Sequence, residues 1–308
     1  ALWIAAMGVD GRTSAERSRN LIAAVPRSGH QAGMTQSILI TGCSSGIGYD
    51  AAHGMRAAGW RVFASCRQQA DCDRLKAEGF DAPLIDYADS VSIKTGLAQV
   101  LAATGGTLDA LFNNGAFGTP GAVEDLPRDA LREIFETNVF GVHDLTIRVI
   151  PVMRAQGHGR IVQNSSVLGL VAMRWRAAYV ATKFALEGLT DTLRLEMADT
   201  NIKIITIEPG PVTSEIRKKS IPHFEKWVDW ENSPRRAQYE SGLRRRLYED
   251  SGPDKFELPA SAVTAKLLRA VTHRNPKPRY YVTTPTYLMG FLRRILTSRG
   301  LDLVLRRG

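Results

Sequence analysis

A tyrosine and a lysine four residues apart, Tyr179 and Lys183, are the side chains in this sequence best suited by type and spacing to proton transfer. On a helix they would lie on one face, one turn apart. A free tyrosine has a pKa of roughly 10, too high for proton exchange near neutrality, and an adjacent ammonium favours the phenolate and lowers that pKa. The pair therefore predicts a tyrosine acid/base, although an aromatic ring packed under a lysine stem would give the same spacing.

Ser166 lies thirteen residues before the tyrosine and ends a strand-like run that begins at Arg160. Its hydroxyl could hold a substrate oxygen against the phenol of Tyr179. The serine, the tyrosine and the lysine are therefore the candidate catalytic side chains.

A glycine-rich turn, residues 42–48, follows a predicted buried strand at 37–41 and precedes a predicted helix at 49–58. Strand, glycine turn and helix make the phosphate-binding geometry of a doubly wound α/β sheet, in which the helix N-terminus supplies free N–H groups and a partial positive charge. The spacing is Gly-x-x-x-Gly-x-Gly rather than the commoner Gly-x-Gly-x-x-Gly. A purely structural turn is the alternative, and the Tyr/Lys pair downstream favours dinucleotide binding.

Strand and helix signals alternate along the chain, as a parallel sheet with crossover helices requires. The predicted strands are 37–41, 61–66, 83–86, 108–113, 159–165, 202–207 and 279–283, and the longer predicted helices are 91–103, 128–153 and 179–198. The sequence thus predicts an α/β fold, a doubly wound parallel sheet of the Rossmann type, as a single domain over residues 34–308. Ligands of such sheets bind beyond the carboxyl ends of the strands.

These motifs resemble, in type and order, those of the short-chain dehydrogenase/reductase (SDR) family of NAD(P)-dependent oxidoreductases. The resemblance is carried by Thr41–Gly48, Asn113-Asn-Gly115, Asn138, Ser166, Tyr179, Lys183 and Pro209–Thr213. It covers about residues 34–290 and is strongest to the branch of hydroxysteroid dehydrogenases, retinol-type dehydrogenases and bacterial aldehyde reductases. Two stretches depart from the pattern: Asn114-Gly-Ala116 stands where Asn-Ala-Gly is usual, and Ala172–Arg176 is bulky and basic.

The resemblance implies hydride transfer between nicotinamide and a carbonyl or alcohol carbon, with Tyr179 as the acid in reduction and the base in oxidation. It implies that Ser166 polarises the substrate oxygen and that Lys183 lowers the tyrosine pKa and holds the nicotinamide ribose. Asn138 resembles the residue that anchors a water in the proton relay, with a structural kink or a satisfied polar residue as the alternative.

The resemblance also implies a set of dinucleotide-binding residues. They are Gly42, Ser44, Ser45, Gly46, Ile47, Gly48, Arg67, Asp86, Asn114, Tyr179, Lys183, Pro209, Gly210, Val212 and Thr213. Within this set Asp86 resembles an adenine-contacting residue, with helix capping as the alternative, and Thr213 would contact the nicotinamide end.

Arg67, at the end of the second predicted strand, bears on the choice of cofactor. An acidic residue at this point would bind the adenosine ribose hydroxyls and repel a phosphate. A guanidinium instead suits a ribose phosphate, to which it presents a bidentate fork. We therefore expect NADP(H) to be favoured, with NAD(H) and an ordinary surface arginine as the alternatives.

The chain has 308 residues and a formal net charge of +9, but no nucleic-acid motif accompanies its basic residues. A solvated basic surface explains the charge, so no nucleic-acid partner is expected. Its three cysteines, Cys43, Cys66 and Cys72, form no metal spacing and cannot all pair. No metal site is expected, and a reducing, cytoplasmic environment fits best.

Residues 214–258 are predicted to form a helical lid over the substrate, because this stretch follows the last cofactor motif. Its aromatic residues are Phe224, Trp227, Trp230, Tyr239 and Tyr248. They would suit an apolar pocket for a lipophilic aldehyde, retinoid or steroid. Packing of the lid onto the core, or an interface in an expected homo-oligomer, is the alternative.

The two ends of the chain lie outside this pattern. Residues 1–33 are interpreted as an N-terminal extension with little function, with an organelle presequence as the minor alternative. Residues 286–308 form a predicted amphipathic helical tail with one face of Leu288, Phe291, Leu292, Ile295 and Leu296, from which Arg293, Arg294 and Arg299 extend outward. Such a face can lie on an anionic membrane surface, or it can pack on the core or in a dimer.

Three other activities must be weighed against an NADP(H)-dependent oxidoreductase. A dinucleotide-binding regulator without turnover would be expected to lack the serine, tyrosine or lysine, and all three are present. An NAD(H)-preferring alcohol dehydrogenase differs only at the ribose. Sugar-nucleotide epimerases and dehydratases share the Tyr/Lys pair but differ in glycine spacing and in their longer C-terminal region.

Overall fold

The computed structural model describes residues 35–249 and 252–306. Its strands are β1 Ser37–Ile40, β2 Arg61–Ala64, β3 Ala110–Asn113, β4 Gly159–Asn164, β5 Ile202–Glu208 and β6 Arg279–Tyr281. They form one parallel sheet in the order β2-β1-β3-β4-β5-β6, which confirms the predicted doubly wound sheet. The order reverses direction between β1 and β3, where such sheets open a crevice for a ligand.

The prediction of a strand at residues 83–86 is wrong. This segment touches the sheet only through isolated bridges, such as that between Cys66 and Leu84. Pro83 has no N–H to donate to a ladder, and the chain turns after it, where the Ala88 N–H donates to Asp86 Oδ1 at 3.0 Å.

Helices cover both faces of the sheet. They are α1 Gly46–Ala57, α2 Gln69–Ala77, α3 Ser90–Thr104, α4 Arg128–Phe135, α5 Val142–Gln156, α6 Ala177–Glu196, α7 Ile216–Trp227, α8 Arg236–Gln238, α9 Arg244–Tyr248, α10 Ser261–Thr272, α11 Thr284–Ile295 and α12 Ser298–Leu305. The helix predicted at 128–153 is interrupted by a π-helical turn, Glu136–Gly141. Helical periodicity continues on both sides of this turn, so the sequence pattern did not predict it.

The core consists of two apolar layers, one on each face of the sheet. Ile38 and Ile40 of β1 belong to the layer under α1 and α10, whereas Leu39 belongs to the layer under α3, α5 and α6. This division follows from the two-residue period of a strand. Burial on both faces explains why β1 and β3 read as continuous apolar runs rather than as alternating ones.

Arg279 on β6 fixes the helix that carries Tyr179 and Lys183. Its guanidinium pairs with Glu187 at 2.5 Å and with Asp191 at 2.6 Å, both on α6, and with Glu208 of β5 at 2.7 Å. Burial raises the pKa of the Glu208 carboxyl to about 8, although Arg279 opposes this shift. The cluster therefore holds α6 against the edge of the sheet.

The predicted lid contains α7, α8 and α9, and its aromatic residues serve chiefly to pack it. Phe224 and Tyr239 are buried in a cluster with Ala122, and the Tyr239 hydroxyl donates to Asp125 Oδ2 at 2.7 Å. Trp227 and Trp230 pack against the same cluster. Of the alternatives for these aromatic residues, packing onto the body of the domain is therefore the one found for these four.

The tail is two helices rather than one. Helix α11 ends at Ile295, and Thr297 starts α12 by accepting the Gly300 N–H. Leu288, Phe291 and Ile295 are exposed, at 49%, 59% and 58% of their surface.

Arg293, which was predicted to extend outward, is exposed and also contacts the body of the domain. Its Nη1 donates to the Gly169 carbonyl oxygen at 3.3 Å, and its guanidinium lies over the Phe184 ring.

No helix among residues 35–249 and 252–306 is long and apolar enough to cross a membrane. The predicted extension at 1–33 lies outside the described residues.

Candidate active site

The candidate site lies at the carboxyl ends of four neighbouring strands. The glycine turn follows β1, Asn114 follows β3, Ser166 follows β4 and Pro209 follows β5. Because these strands are parallel, their carboxyl ends share one edge of the sheet. Residues that are far apart in the sequence therefore meet there, as expected.

Ser166, Tyr179 and Lys183 are brought together at this edge. Ser166 is extended and begins a short 3₁₀ turn, where its Oγ accepts the Leu168 N–H at 3.1 Å. Tyr179, in the first part of α6, lies near enough to Ser166 for the serine side chain to lower the pKa of the phenol. Lys183 follows one turn later, with Nζ 5.4 Å from the centroid of the tyrosine ring. The predicted triad is therefore a spatial group.

Burial shifts the pKa values in this group. It raises the pKa of the Tyr179 phenol above its usual value, and the Ser166 side chain only partly opposes this. Lys183 Nζ donates to the Asn164 carbonyl oxygen at 2.7 Å, and the lowering of the tyrosine pKa by Lys183 stays a prediction. Burial also lowers the pKa of Lys183 to about 8, with Glu187 opposing.

The glycine turn has a shape that only glycine allows. Gly42 has a φ of +69°, and a Cβ there would lie 2.7 Å from Gly115 Cα. A Cβ on Gly48 would lie 2.3 Å from the Gly42 carbonyl oxygen. Ile47, in the first turn of α1, packs against the core.

The start of α1 fits a pyrophosphate. Ser45 is the N-cap but its side chain makes no capping hydrogen bond, and no acidic residue lies in the first turn from Gly46. The first N–H groups of a helix lack intrahelical partners, and the helix dipole favours an anion there. The residues that are present therefore fit the phosphates of a dinucleotide.

Asn114 and Asn138 both use their side chains to support the site. Asn114 Nδ2 donates to the Thr41 carbonyl oxygen at 2.9 Å, and its Oδ1 accepts from Asn164 at 2.8 Å. Asn138 lies in the π-helical turn, where its amide donates to and accepts from the backbone of Phe117 at 2.8 and 3.1 Å. These bonds satisfy the side chain of Asn138 within the π-helical turn, and its role in holding a relay water stays a prediction.

Three further residues of the predicted cofactor-binding set are Asp86, Pro209 and Gly210. Asp86 accepts from its own turn, and the Pro209 carbonyl oxygen accepts the Val167 N–H at 2.7 Å. A Cβ on Gly210 would lie 2.1 Å from Thr283 Oγ1, so a close approach fixes this position.

Val212 and Thr213 connect the last cofactor motif to the lid. Val212 forms a bridge with Leu258. Thr213 Oγ1 donates to Glu257 at 2.7 Å, which directs the hydroxyl to the end of the lid.

Cations surround the side of the turn that faces β2. Arg67 is exposed and has no ion pair among the residues that the structure describes. Arg74 donates to the Ser44 carbonyl oxygen at 2.8 Å, and Lys219 reaches both Ser44 and Ser45 from α7. The sequence did not single out Lys219, because nothing distinguishes it from the adjacent basic residues.

His223, one turn after Lys219, was also missed. Its ring stacks on Phe117 with centroids 4.0 Å apart, and burial together with the charge of Arg67 lowers its pKa, although Glu133 opposes this. The pair connects α7 to the loop after β3, which is a long-range contact that no local pattern records.

Known proteins resemble this chain in sequence and fold. A family model described as short chain dehydrogenase matches residues 36–224. The chain is 37% identical over 273 residues to the uncharacterized oxidoreductase YbbO of Escherichia coli K12, a match that covers 89% of this chain and 95% of that protein. It is 36% identical over 191 residues to retinol dehydrogenase 8 of Homo sapiens, covering 60% and 61%. A short chain dehydrogenase/reductase from Burkholderia phymatum, solved in complex with NAD, is 25% identical with a TM-score of 0.69, covering 89% and 96%.

Proposed function

This chain belongs to the short-chain dehydrogenase family and is an NAD(P)-dependent oxidoreductase acting on CH–OH groups, and from this premise we propose that it prefers NADP(H) and acts on a lipophilic aldehyde, retinoid or steroid. The single observation that carries the proposed chemistry is the position of Tyr179 beside the buried Lys183, at the sheet edge where Ser166 follows β4. A hydroxyl, a phenol and an ammonium at one sheet edge provide the parts of a proton-transfer site.

In the proposed mechanism, the bound nicotinamide supplies or accepts the hydride. Ser166 donates a hydrogen bond to the substrate oxygen and directs it toward Tyr179. In reduction the Tyr179 phenol gives its proton to that oxygen, and in oxidation it takes the proton back. Lys183 donates to the Asn164 carbonyl oxygen at the end of β4, and in this proposal it also binds the ribose. Asn138 keeps the loop at Phe117 in position.

The preference for NADP(H) is supported by Arg67, which follows β2 and has no ion pair in the part of the chain that the structure describes. A carboxylate near the ribose would repel a phosphate, whereas a guanidinium binds one. The Burkholderia relative was solved in complex with NAD, so NAD(H) is the alternative that any test must include.

The lipophilic substrate class is supported by the similarity to retinol dehydrogenase 8 and by the apolar composition of the lid segment. We further propose that the protein lies in the cytoplasm, because its three cysteines are buried and unpaired, which suits a reducing compartment. The homo-oligomer stays a prediction. A dinucleotide-binding regulator is the second candidate, and turnover would exclude it.

A screen of NADPH and NADH oxidation against short and long aldehydes, retinal and ketosteroids tests this proposal. We expect loss of absorbance at the reduced nicotinamide band with one lipophilic class and with NADPH in preference to NADH. Turnover with short polar aldehydes alone would contradict the substrate class. Cofactor binding without any turnover would support the regulator.

The exposed apolar side chains of α11 support loose association with a membrane surface, from which the enzyme could draw such substrates. Leu288, Phe291 and Ile295 are exposed, and Arg294 and Arg299 flank them. An apolar helix face flanked by arginines can lie on anionic lipid.

Co-sedimentation with anionic vesicles checks this prediction. We expect the full chain to bind in a salt-sensitive manner, and the double variant Phe291→Ser, Ile295→Ser to bind at least roughly tenfold more weakly, because each removes apolar burial. A chain ending at Pro285 should lose binding as well. Equal binding by all three proteins would make the tail a packing or interface element.

A further inference from the structure

Lys219 joins the lid to the glycine turn. It lies on α7, and its Nζ donates to Ser44 Oγ at 3.1 Å and to Ser45 Oγ at 2.7 Å. A second contact lies beside it, because a Cβ on Gly46 would lie only 3.3 Å from Ser214 Cβ. The segment that begins the lid therefore rests directly on the turn that fits the phosphates.

The charge of Lys219 is not neutralised by the protein. Its partners are two neutral hydroxyls, and neither it nor Arg67 has a carboxylate partner in the described part of the chain. Arg74, the third cation beside the turn, is by contrast paired with Asp71 and Glu78. Lys219 at the turn and Arg67 after β2 are thus two positive charges without a carboxylate partner in the described residues, and such charges favour a bound anion.

The position of Ser44 indicates which anion this is. The adjacent Cys43 N–H donates to the Ser65 carbonyl oxygen just after β2, and the Ser44 carbonyl accepts from Arg74 of α2. Ser44 therefore lies on the β2 side of the turn. In a doubly wound sheet the adenosine ribose lies beside the end of the second strand, whereas the pyrophosphate lies at the helix N-terminus. Through Ser44, Lys219 therefore lies on the side of the turn that is nearer to the ribose position, and through Ser45 it also lies beside the N-cap of α1.

We propose that Lys219 is a second cationic ligand of the ribose 2′-phosphate, which it binds together with Arg67 by exchanging a serine hydroxyl for a phosphate oxygen. The inference rests on the proposed function, because it requires that NADP(H) is the cofactor. It adds a consequence: the 2′-phosphate connects the lid to the nucleotide-binding turn, so NADP(H) holds α7 in place and NAD(H) does not.

Titration of the intrinsic tryptophan fluorescence with NADPH and with NADH tests this inference without turnover. In Lys219→Gln we expect the NADPH dissociation constant to rise by roughly tenfold to a hundredfold, the range of a lost charge-assisted contact. NADH affinity should change by less than about twofold, and Lys219→Arg should retain most NADPH affinity. Lys218→Gln is the matched control, because Lys218 is exposed on the same helix without a contact to the turn.

A second readout follows the lid itself. Limited trypsin digestion should cleave the basic segments at 217–219 and 244–246. NADPH should protect these segments in the wild type but not in Lys219→Gln. NADH should protect them in neither protein. A wild type without NADPH preference would overturn both the proposed cofactor and this inference. A preference that survives in Lys219→Gln, or an equal loss of NADPH and NADH affinity, would overturn this inference alone.

Discussion

Replacing Tyr179 by Phe is expected to lower turnover by roughly two to four decades while leaving the dissociation constant of NADPH within a factor of about three. The substitution removes the one ionisable oxygen of the site and keeps the ring that packs in α6. Ser166 would still hold the substrate oxygen, but no phenol would be present to give or take the proton. Steady-state rates in both directions, with fluorescence titration of NADPH, measure the two quantities separately.

Tyr287→Phe is the matched control for this prediction. Tyr287 is exposed on α11, so loss of its hydroxyl should leave turnover unchanged. If Tyr179→Phe keeps near-normal activity, Tyr179 is not the acid/base. If it loses NADPH binding as strongly as turnover, its hydroxyl serves cofactor binding rather than proton transfer.

Local sequence signals predicted the parts of this site that depend on backbone geometry. Gly42 and Gly48 could be identified because a positive φ or a very close backbone approach admits no side chain. Tyr179 and Lys183 could be identified because helical spacing brings their side chains together. The strands were found because burial on both faces produces short apolar runs.

Two differences between the sequence and the structure have distinct physical origins. Pro83 lacks the N–H that a ladder needs, so the segment at 83–86 is not a strand. The contact of Asn138 with the backbone of Phe117, 21 residues earlier, is long-range, so no local pattern records it. The role of Asn138 in a proton relay and the effect of Lys183 on the tyrosine pKa stay predictions.

Lys219 could not be identified from the sequence. Its partner Ser44 is 175 residues away, so only the folded chain brings this lysine of the lid to the glycine turn. A sequence pattern therefore identifies residues whose contacts lie close along the chain. It misses residues whose contacts form only when the chain folds.

Replacing Arg67 by Asp is expected to weaken NADPH binding by roughly a hundredfold and to leave NADH binding unchanged or slightly tighter. The variant removes an unpaired cation and places a carboxylate beside the 2′-phosphate, so repulsion adds to the lost attraction. The same carboxylate can accept hydrogen bonds from the ribose hydroxyls of NADH. The effect should therefore exceed that of Lys219→Gln, which removes one cation without introducing a negative charge.

Michaelis constants and direct titrations for both cofactors measure this prediction, with Arg67→Gln and Arg299→Asp as comparisons. Arg67→Gln removes the charge alone and should fall between the wild type and Arg67→Asp. Arg299→Asp reverses an exposed arginine on α12, outside the site, and should change neither cofactor, which excludes an effect of net charge. Because phosphate binding is electrostatic at this exposed position, the wild-type preference should also shrink as salt rises. Equal losses for NADPH and NADH in Arg67→Asp would remove the argument for NADP(H).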